Sequence, residues 1–220
     1  MVLEDLLNAI EENNVDLVNA LIKNNSVISV KDEKENTPLM LACAIGNTEI
    51  VELLIKSGAK VNGRNYTKGT ALLFAVFYNR PEIVKLLLKH KAEVDIIGAL
   101  DKGMAGMTPL GLATHVASFH PERIETVKIL LDAGADVNFP DAEGRTPMLL
   151  AGTRTELIDL LLKQSVDINS KNPRNGRTLL IEMCSDPFKK PEQIIKLIER
   201  GIDVNIKDNN GDTALVYAVK

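Results

Sequence analysis

A unit of about 33 residues recurs along the chain, and its clearest copy is TPLMLACAIGNTEIVELLIKSGAKVN, at residues 37–62. Thr37-Pro38 predicts the start of a helix, because proline is favoured in the first helical turn. Gly46-Asn47 interrupts the apolar pattern and Gly58 ends it, so the unit predicts two short helices. Each helix would have about three turns or fewer, which is too short for stability alone in water. The unit therefore needs copies of itself against which to pack.

The threonine that opens the unit recurs at intervals close to the unit's length. Successive opening threonines are 33, 38, 38, 32 and 35 residues apart. A closing pair, a β-branched residue followed by asparagine or aspartate, recurs in the same phase. Repetition at this period predicts a stack of similar units that share one continuous core. The threonines are Thr37, Thr70, Thr108, Thr146, Thr178 and Thr213, and the pairs are Val61-Asn62, Val94-Asp95, Val137-Asn138, Ile168-Asn169 and Val204-Asn205.

This pattern resembles the ankyrin repeat, a unit of 33 residues made of a turn and two antiparallel helices. Ala-Asp-Val-Asn stands at residues 135–138, and Thr-Pro-Leu stands at residues 37–39 and 108–110. The resemblance extends over nearly the whole chain. It implies an all-α fold, an ankyrin-repeat solenoid of antiparallel helix pairs with projecting β-hairpin-like turns.

We expect a single ankyrin-repeat domain over residues 1–220. The first unit lacks the Thr-Pro opening and is acidic between its apolar positions, which is typical of a terminal repeat that turns a polar face to water. The chain reaches Lys220 within the first helix of a seventh unit, so that half-unit is either a natural cap or the point where a longer chain was cut. The units run approximately over residues 1–31 (the N-terminal cap), 32–64, 65–102, 103–140, 141–172, 173–207 and 208–220 (partial).

Three segments depart from the repeat length. The turn at residues 96–107 and the helix–helix link at residues 116–123 are each about five residues too long, and residues 185–193 form a polar insertion. We expect a loop in the second of these. Glu182 also departs from the pattern, because it stands where the second unit has the core-facing Leu41. A buried carboxylate is costly, so we expect a local shift that lets Glu182 reach solvent or a turn amide.

The composition of the chain limits which partners and which cellular compartment the sequence predicts. A net charge of −4 gives no electrostatic reason to expect binding to nucleic acid or to an anionic membrane. The longest apolar run, residues 71–78, is far shorter than the roughly 20 residues that span a bilayer. The acidic N-terminus lacks the features of a signal peptide. Cys43 and Cys184 occupy equivalent positions in the first helices of their units, and we interpret them as small buried hydrophobic residues. We expect a cytoplasmic protein, with secretion into a host as an effector left open.

No arrangement of residues in the sequence points to catalysis, so we expect neither an enzyme nor a cofactor. Residues 208–212, Asp-Asn-Asn-Gly-Asp, resemble part of a calcium loop but lack its closing glutamate, and are interpreted as the turn of a repeat. His115 and His120 are separated by the expected loop, and neither a cysteine nor an acid completes a metal site with them.

The resemblance implies that partner proteins bind to the concave face, which is made by the turns and by exposed positions of the first helices. The centre of this row is apolar and aromatic, and basic residues mark the turns. In the alternative interpretation, Phe77 and Tyr78 pack beneath the long turn that contains Ile96, Ile97 and Leu100, and both arrangements stay open. The candidate partner-binding residues are Ile45, Arg64, Tyr66, Lys68, Phe77, Tyr78, His115, Val116, Arg145 and Arg154.

The sequence therefore predicts a non-catalytic protein–protein interaction module. We expect a monomer that binds a protein or peptide through an apolar anchor in units two to four. The partner's acidic residues would lie toward the basic turns of units five and six, at Arg145, Arg174 and Arg177. The alternative is a regulatory or targeting ankyrin segment of a larger, truncated enzyme or effector.

Overall fold

The computed structural model describes residues 2–23, 28–99, 106–186, 188 and 191–219. Within these ranges the regular structure is helical, and the extended contacts are isolated bridges between Gly98 and Met107 and between Lys171 and Thr178. Leu100 and Lys102, from the long turn of the fourth unit, lie outside the described residues. The helices are α1 (Val2–Glu11), α2 (Val15–Ile22), α3 (Pro38–Ile45), α4 (Thr48–Lys56), α5 (Ala71–Phe77), α6 (Pro81–Lys89), α7 (Pro109–Phe119), α8 (Ile124–Asp132), α9 (Pro147–Leu150), α10 (Thr155–Leu161), α11 (Leu179–Ser185), α12 (Pro191–Glu199) and α13 (Ala214–Ala218).

The helices stack in two series, as the repeat predicts. Among the first helices of the units, α1 packs on α3, α3 on α5, α5 on α7 and α7 on α9, and α11 packs on α13. Among the second helices, α2 packs on α4, α4 on α6 and α6 on α8. Helices of the first four units thus pack both within their pairs and against neighbouring units, which confirms the expected all-α solenoid.

Four of the opening threonines cap the following helix through a side-chain hydrogen bond, whereas Thr146 and Thr213 do not; the four are Thr37, Thr70, Thr108 and Thr178. The hydroxyl of Thr37 accepts a hydrogen bond from the amide of Met40 at 3.3 Å, and Thr108 accepts one from Gly111 at 3.1 Å. A cap of this kind satisfies one of the amides that lack a partner in the first turn. At the other end of the unit, Gly58 adopts φ +97° directly after α4, as expected of a helix stop. The sequence signals for helix start and stop are therefore confirmed.

A buried aspartate organises the turns of the fifth and seventh units. Asp141 accepts hydrogen bonds through Oδ1 from the amides of Glu143 and Arg145, at 2.9 and 2.8 Å. Asp208 accepts in the same way from the amides of Asn210 and Asp212, at 2.9 and 3.0 Å. The stretch at residues 208–212 is therefore a repeat turn.

Neighbouring turns are joined by backbone hydrogen bonds. The amide of Tyr66 donates to the carbonyl of Lys34 at 3.2 Å, and the amide of Ala142 donates to that of Gly106 at 3.0 Å. Pro173 occupies the donor position in its own turn, and proline has no amide hydrogen to donate. An ion pair between Arg174 and Glu143, at 2.7 Å, connects these two turns instead.

The core is aliphatic and runs along the stack. Leu39, Ile50 and Leu54 of the second unit are almost completely buried, as are Leu72, Ile83 and Leu87 of the third unit. Cys43 and Cys184 are buried, as predicted. Burying one such side chain contributes roughly 1.5–3 kcal/mol.

The structure corrects the prediction of a loop between His115 and His120. Helix α7 continues to Phe119, and a short 3-10 turn at Pro121–Arg123 leads into α8. The extra residues therefore add about one turn to the end of a helix. No glycine or asparagine stands between His115 and Phe119, so nothing in the sequence stops the helix there.

Glu182 is half-exposed and has polar partners. Its Oε1 accepts a hydrogen bond from Asn175 Nδ2 at 3.3 Å, and its Oε2 lies 3.5 Å from Arg177 Nη1. Arg177 also stacks on the ring of Tyr217, with the guanidinium carbon 4.5 Å from the ring centroid. The Tyr217 hydroxyl donates to Asp208 at 2.7 Å and is the main cause that lowers the pKa of that carboxyl. Glu182 therefore belongs to a polar network that connects the last two units.

Candidate protein-binding groove

Two aromatic side chains at the end of α5 form the centre of the candidate site. Phe77 is the last residue of α5 and Tyr78 caps it, followed by Asn79 at φ +54°. The Phe77 and Tyr78 rings meet edge to face, with centroids 5.1 Å apart, and Phe74 stacks on Tyr78 at 6.5 Å. Phe77 packs partly against the core, whereas Tyr78 keeps 46% of its surface exposed. The sequence thus places an exposed ring on a rigid, packed base.

A first cavity of about 520 Å³ lies between α3 and α5. Leu41 and Ala44 of α3 and Phe74 of α5 supply apolar surface, while the turns supply polar groups. Tyr66, with 78% of its surface exposed, stands on the turn beside this cavity. The full lining is Glu33, Lys34, Asn36, Leu41, Ala44, Asn65, Tyr66, Thr67, Phe74, Phe77 and Tyr78.

A second cavity of about 410 Å³ lies between α5 and α7. It exists because α7 is about one turn longer than α5, which brings Phe119 to its wall. Phe119 is 67% exposed, and its ring meets His115 edge to face with centroids 5.3 Å apart. The full lining is Phe77, Tyr78, His115, Val116, Phe119, His120 and Arg123. We call the two cavities together the aromatic groove, and Phe77 and Tyr78 are the wall that they share.

One arginine and two histidines line the second cavity. Arg123 donates from Nη1 to the carbonyl oxygen of Phe77 at 3.1 Å. His120 Nδ1 lies 3.4 Å from Glu122 Oε1, outside the cavity. Burial is the main cause that lowers the pKa of His115, and the positive charge of Arg145 acts in the same direction. The negative charges of Asp141 and Glu143 oppose this shift.

The structure brings five of the predicted binding residues together in the groove, namely Tyr66, Phe77, Tyr78, His115 and Val116. The alternative interpretation placed Phe77 and Tyr78 beneath the turn of Ile96 and Ile97. Among the described residues, neither isoleucine lines either cavity: Ile96 is buried, and Ile97 is 39% exposed.

The other predicted residues lie elsewhere or are used within the fold. Ile45 is half-buried and packs against the core. Arg64 lines a separate cavity of about 240 Å³ beside Thr37 and Lys60. Lys68 is exposed on its turn, where it adopts φ +63°.

Two predicted arginines have intramolecular partners. Arg145 contacts Asp141 at 2.8 Å and Glu143 at 3.3 Å, so its charge is compensated within its own turn. Arg154 donates from Nε to the carbonyl oxygen of Ser118 at 2.5 Å, which ties the fifth unit to the end of α7.

Phe119 and Arg123 belong to the groove but were not predicted from the sequence. The spacing of His115 and Phe119, four residues apart, is the signal for a shared helix face, and it is visible only once α7 is continued past Val116. Arg123 gives no comparable signal, because its intramolecular acceptor is a backbone carbonyl in another unit.

Among the described residues, no group of three or more histidine, cysteine, aspartate or glutamate side chains is arranged to hold a metal ion. The described helices include none that is long and apolar enough to cross a membrane.

The helix stack and its turns define a repeat protein with a groove between successive first helices. The family model for ankyrin repeats in three copies matches residues 6–98, and the model for the single ankyrin repeat matches residues 105–142. Together they cover more than half of the chain, and the chain belongs to the ankyrin repeat family. Ankyrin repeats are generally protein-interaction modules, and such domains are typically non-catalytic.

Curated relatives carry the same repeats in longer chains. Putative ankyrin repeat protein L92 of Acanthamoeba polyphaga mimivirus is 35% identical over 141 residues, covering 44% of this chain and 34% of the viral protein. Human Rabankyrin-5 is 40% identical over 118 residues, covering 52% of this chain and 10% of that protein. E3 ubiquitin-protein ligase KEG of Arabidopsis thaliana is 34% identical over 115 residues, covering 50% of this chain and 7% of that protein. The chain thus spans about a third or less of the length of these relatives.

Proposed function

We propose that this chain is a protein-binding module that holds a partner protein or peptide in the aromatic groove. The observation that supports the proposal is the exposure of Tyr66 and Tyr78 beside two adjoining cavities with apolar floors. Exposed aromatic clusters in concave sites are typical of interaction surfaces, because they bury much apolar area at little entropic cost. His115 and Val116 extend the surface into the second cavity.

The other candidate residues have different roles in the proposed binding mode, according to their exposure and their intramolecular contacts. The groove takes an apolar anchor of the partner, and Arg64 and Lys68 supply exposed positive charge near the turns. Arg145 adds little to recognition, because Asp141 and Glu143 compensate its charge. Arg154 uses its Nε for a contact within the fold, and its charge can still contribute to the surface. We propose that the chain acts as a monomer in a reducing, cytoplasmic setting, which fits its two buried cysteines.

Two exposed tyrosines allow a test that leaves the core intact. The double variant Tyr66→Ser, Tyr78→Ser removes both rings from the groove. Phe188→Ser is the matched control, because Phe188 is an aromatic side chain with 82% of its surface exposed that lines neither cavity. Proteins captured by the tagged chain are quantified by mass spectrometry for the wild type and for each variant, after circular dichroism shows equal folding.

We expect a set of captured proteins to be lost from the double variant and retained by Phe188→Ser. Equal capture by all three proteins would show that the groove is not the binding surface.

A second candidate function is partner recognition within a larger enzyme or effector. It is supported by the similarity to a much longer protein that is named as a ubiquitin ligase. Immunoblotting the native source with an antibody to this chain tests it. A band near 24.1 kDa would favour the independent module, and a band several times larger would favour the second candidate.

A further inference from the structure

The two cavities of the aromatic groove lie in neighbouring spaces along the stack. One is between α3 and α5, the other is between α5 and α7, and Phe77 and Tyr78 line both. Successive packed helices are roughly 8–10 Å apart, so side chains seated in the two cavities would be separated by about the same distance. Both volumes fall in the range of roughly 300–1,000 Å³ that is usual for ligand pockets.

This spacing fits two side chains on one side of a single peptide segment. A polyproline-II segment has three residues per turn and rises about 3.1 Å per residue, which places residues i and i+3 on one side roughly 9 Å apart. In a helix, residues i and i+7 give a similar distance of about 10.5 Å. A partner with one apolar side chain would leave one cavity unfilled.

The two cavities differ in charge. Glu33 and Lys34 stand together at the first cavity, so their charges oppose each other. The second cavity is lined by Arg123, His115 and His120, and no carboxylate belongs to its described lining. In the part of the chain that the structure describes, no carboxylate oxygen lies within 4.0 Å of a nitrogen of the Arg123 side chain.

Arg123 is therefore held in place without its charge being neutralised. Its Nη1 donates to the carbonyl oxygen of Phe77, and the side chain lines the second cavity together with Tyr78 and Phe119. Arginine binds carboxylates through two parallel hydrogen bonds, and the interaction is strengthened where aromatic walls exclude water.

We propose that the partner is an acidic peptide segment with two apolar side chains about 9–10 Å apart, one in each cavity, and a carboxylate beside the second that pairs with Arg123. This inference rests on the proposed function and specifies the chemistry of the partner. It also moves the acid-binding position from the turns of units five and six, where Arg145 and Arg177 are already paired, to the cavity between α5 and α7.

The test begins with a phage-displayed library of random dodecapeptides selected on the full chain. The selected consensus peptide is synthesised with its acidic residue and, separately, with the corresponding amide, and both are measured by fluorescence anisotropy. The protein variants are Arg123→Gln and Arg80→Gln. Arg80 is the matched control, because it makes the equivalent bond to the carbonyl of Ala44 and lines neither cavity.

We expect a consensus with two apolar positions at one of the two spacings and an aspartate or glutamate next to one of them. The wild type should bind the acidic peptide about tenfold more tightly than its amide analogue, a difference of about 1.4 kcal/mol, because the amide removes the charge from the bond to Arg123. The ratio should fall to near one in Arg123→Gln and stay near tenfold in Arg80→Gln. Both variants lose an equivalent bond, so a general loss of stability would affect them alike.

The proposal is overturned if the consensus has one apolar position or no acid, or if Arg123→Gln leaves the acid-to-amide ratio unchanged. Tyr78→Ser separates this outcome from failure of the proposed function. If Tyr78→Ser abolishes binding while acid and amide peptides bind equally, only the acidic partner is wrong. If the selected peptides bind Tyr78→Ser as tightly as the wild type, the groove itself is not the binding site.

Discussion

Arg80 donates from Nε and Nη2 to the carbonyl oxygen of Ala44, at 3.2 and 3.1 Å. Ala44 lies in the last turn of α3, where carbonyl groups lack a partner within the helix. Arg123 and Arg154 repeat the contact in later units, with the carbonyls of Phe77 and Ser118 as acceptors. An arginine near the start of the second helix of one unit thus binds the end of the first helix of the preceding unit.

Arg80→Ala should destabilise the fold by about 1–2 kcal/mol, because it leaves the Ala44 carbonyl without this charged donor. Urea unfolding followed by circular dichroism measures the change. Arg64→Ala is the control, since Arg64 is an exposed arginine beside another turn, and it should change stability by less than about 0.5 kcal/mol. Equal effects of the two substitutions would contradict a structural role for the Arg80 contact.

A substitution at Gly46 tests the contact between Arg80 and Ala44 from the side of α3. It adopts φ +101°, and a Cβ atom added there would lie 2.5 Å from Arg80 Nε. Gly58 has a similar φ of +97° but nothing within 4 Å of an added Cβ. Gly58→Ala therefore measures backbone strain alone, about 1–2 kcal/mol, and Gly46→Ala adds the displacement of Arg80.

We expect Gly46→Ala to be more destabilising than Gly58→Ala in the wild type and equally destabilising in an Arg80→Ala background. The four unfolding free energies form a double-mutant cycle. A difference between the two glycine variants that persists without Arg80 would show that another neighbour is responsible.

These contacts show how far the sequence predicts this structure. The spacing of Thr37, Thr70 and Thr108 predicts the helix starts, because threonine caps act locally and leave a clear pattern. The bond from Arg80 to Ala44 is not predictable in this way, since its acceptor is a backbone carbonyl that any residue would provide. Long-range polar contacts to the backbone therefore have to be seen in the fold.

The residues of the aromatic groove also divide into those that the sequence predicts and those that it does not. Phe77 and Tyr78 were predicted because they fall at a surface position of the repeat. Phe119 was missed because extra residues in a repeat were interpreted as a loop, whereas they lengthen α7. The sequence predicts that Arg145 offers a positive charge to a partner. In the structure, the carboxylates of Asp141 and Glu143, which are close in sequence, form ion pairs with Arg145 and compensate that charge.

The closing asparagines connect the ends of successive units. Asn138 Oδ1 accepts a hydrogen bond from the amide of Asp167 at 2.7 Å, and its Nδ2 donates to the carbonyl of Ser165 at 2.9 Å. Asp95 takes the equivalent place one unit earlier, and its Oδ1 accepts from the amide of Asp136 at 3.0 Å. Aspartate therefore keeps the acceptor and lacks the donor.

Asn138→Ala should cost about 1–2 kcal/mol of unfolding free energy, because both hydrogen bonds are lost. Asn138→Asp should cost about half as much, since it keeps the bond to Asp167. Chemical denaturation of the two variants measures this order. Equal stability of Asn138→Asp and Asn138→Ala would show that the acceptor contributes nothing.

His115 makes the stability depend on pH. Burial and the nearby charge of Arg145 lower its pKa in the folded chain, whereas in the unfolded chain its pKa returns to about 6.5. As the pH falls through that value, the unfolded state binds the proton first. The free energy of unfolding therefore decreases on the acidic side, and this contribution is fully present only above the unfolded pKa.

We expect His115→Gln to lose this part of the pH dependence. Melting temperatures recorded between about pH 7.5 and 5.5, a range that includes the unfolded pKa of about 6.5, should fall more steeply for the wild type than for His115→Gln. His120→Gln is the matched control, because His120 lines the same cavity but is exposed. Its melting temperature should follow that of the wild type. If His115→Gln and the wild type lose the same number of degrees on acidification, His115 is not the group that links protonation to stability.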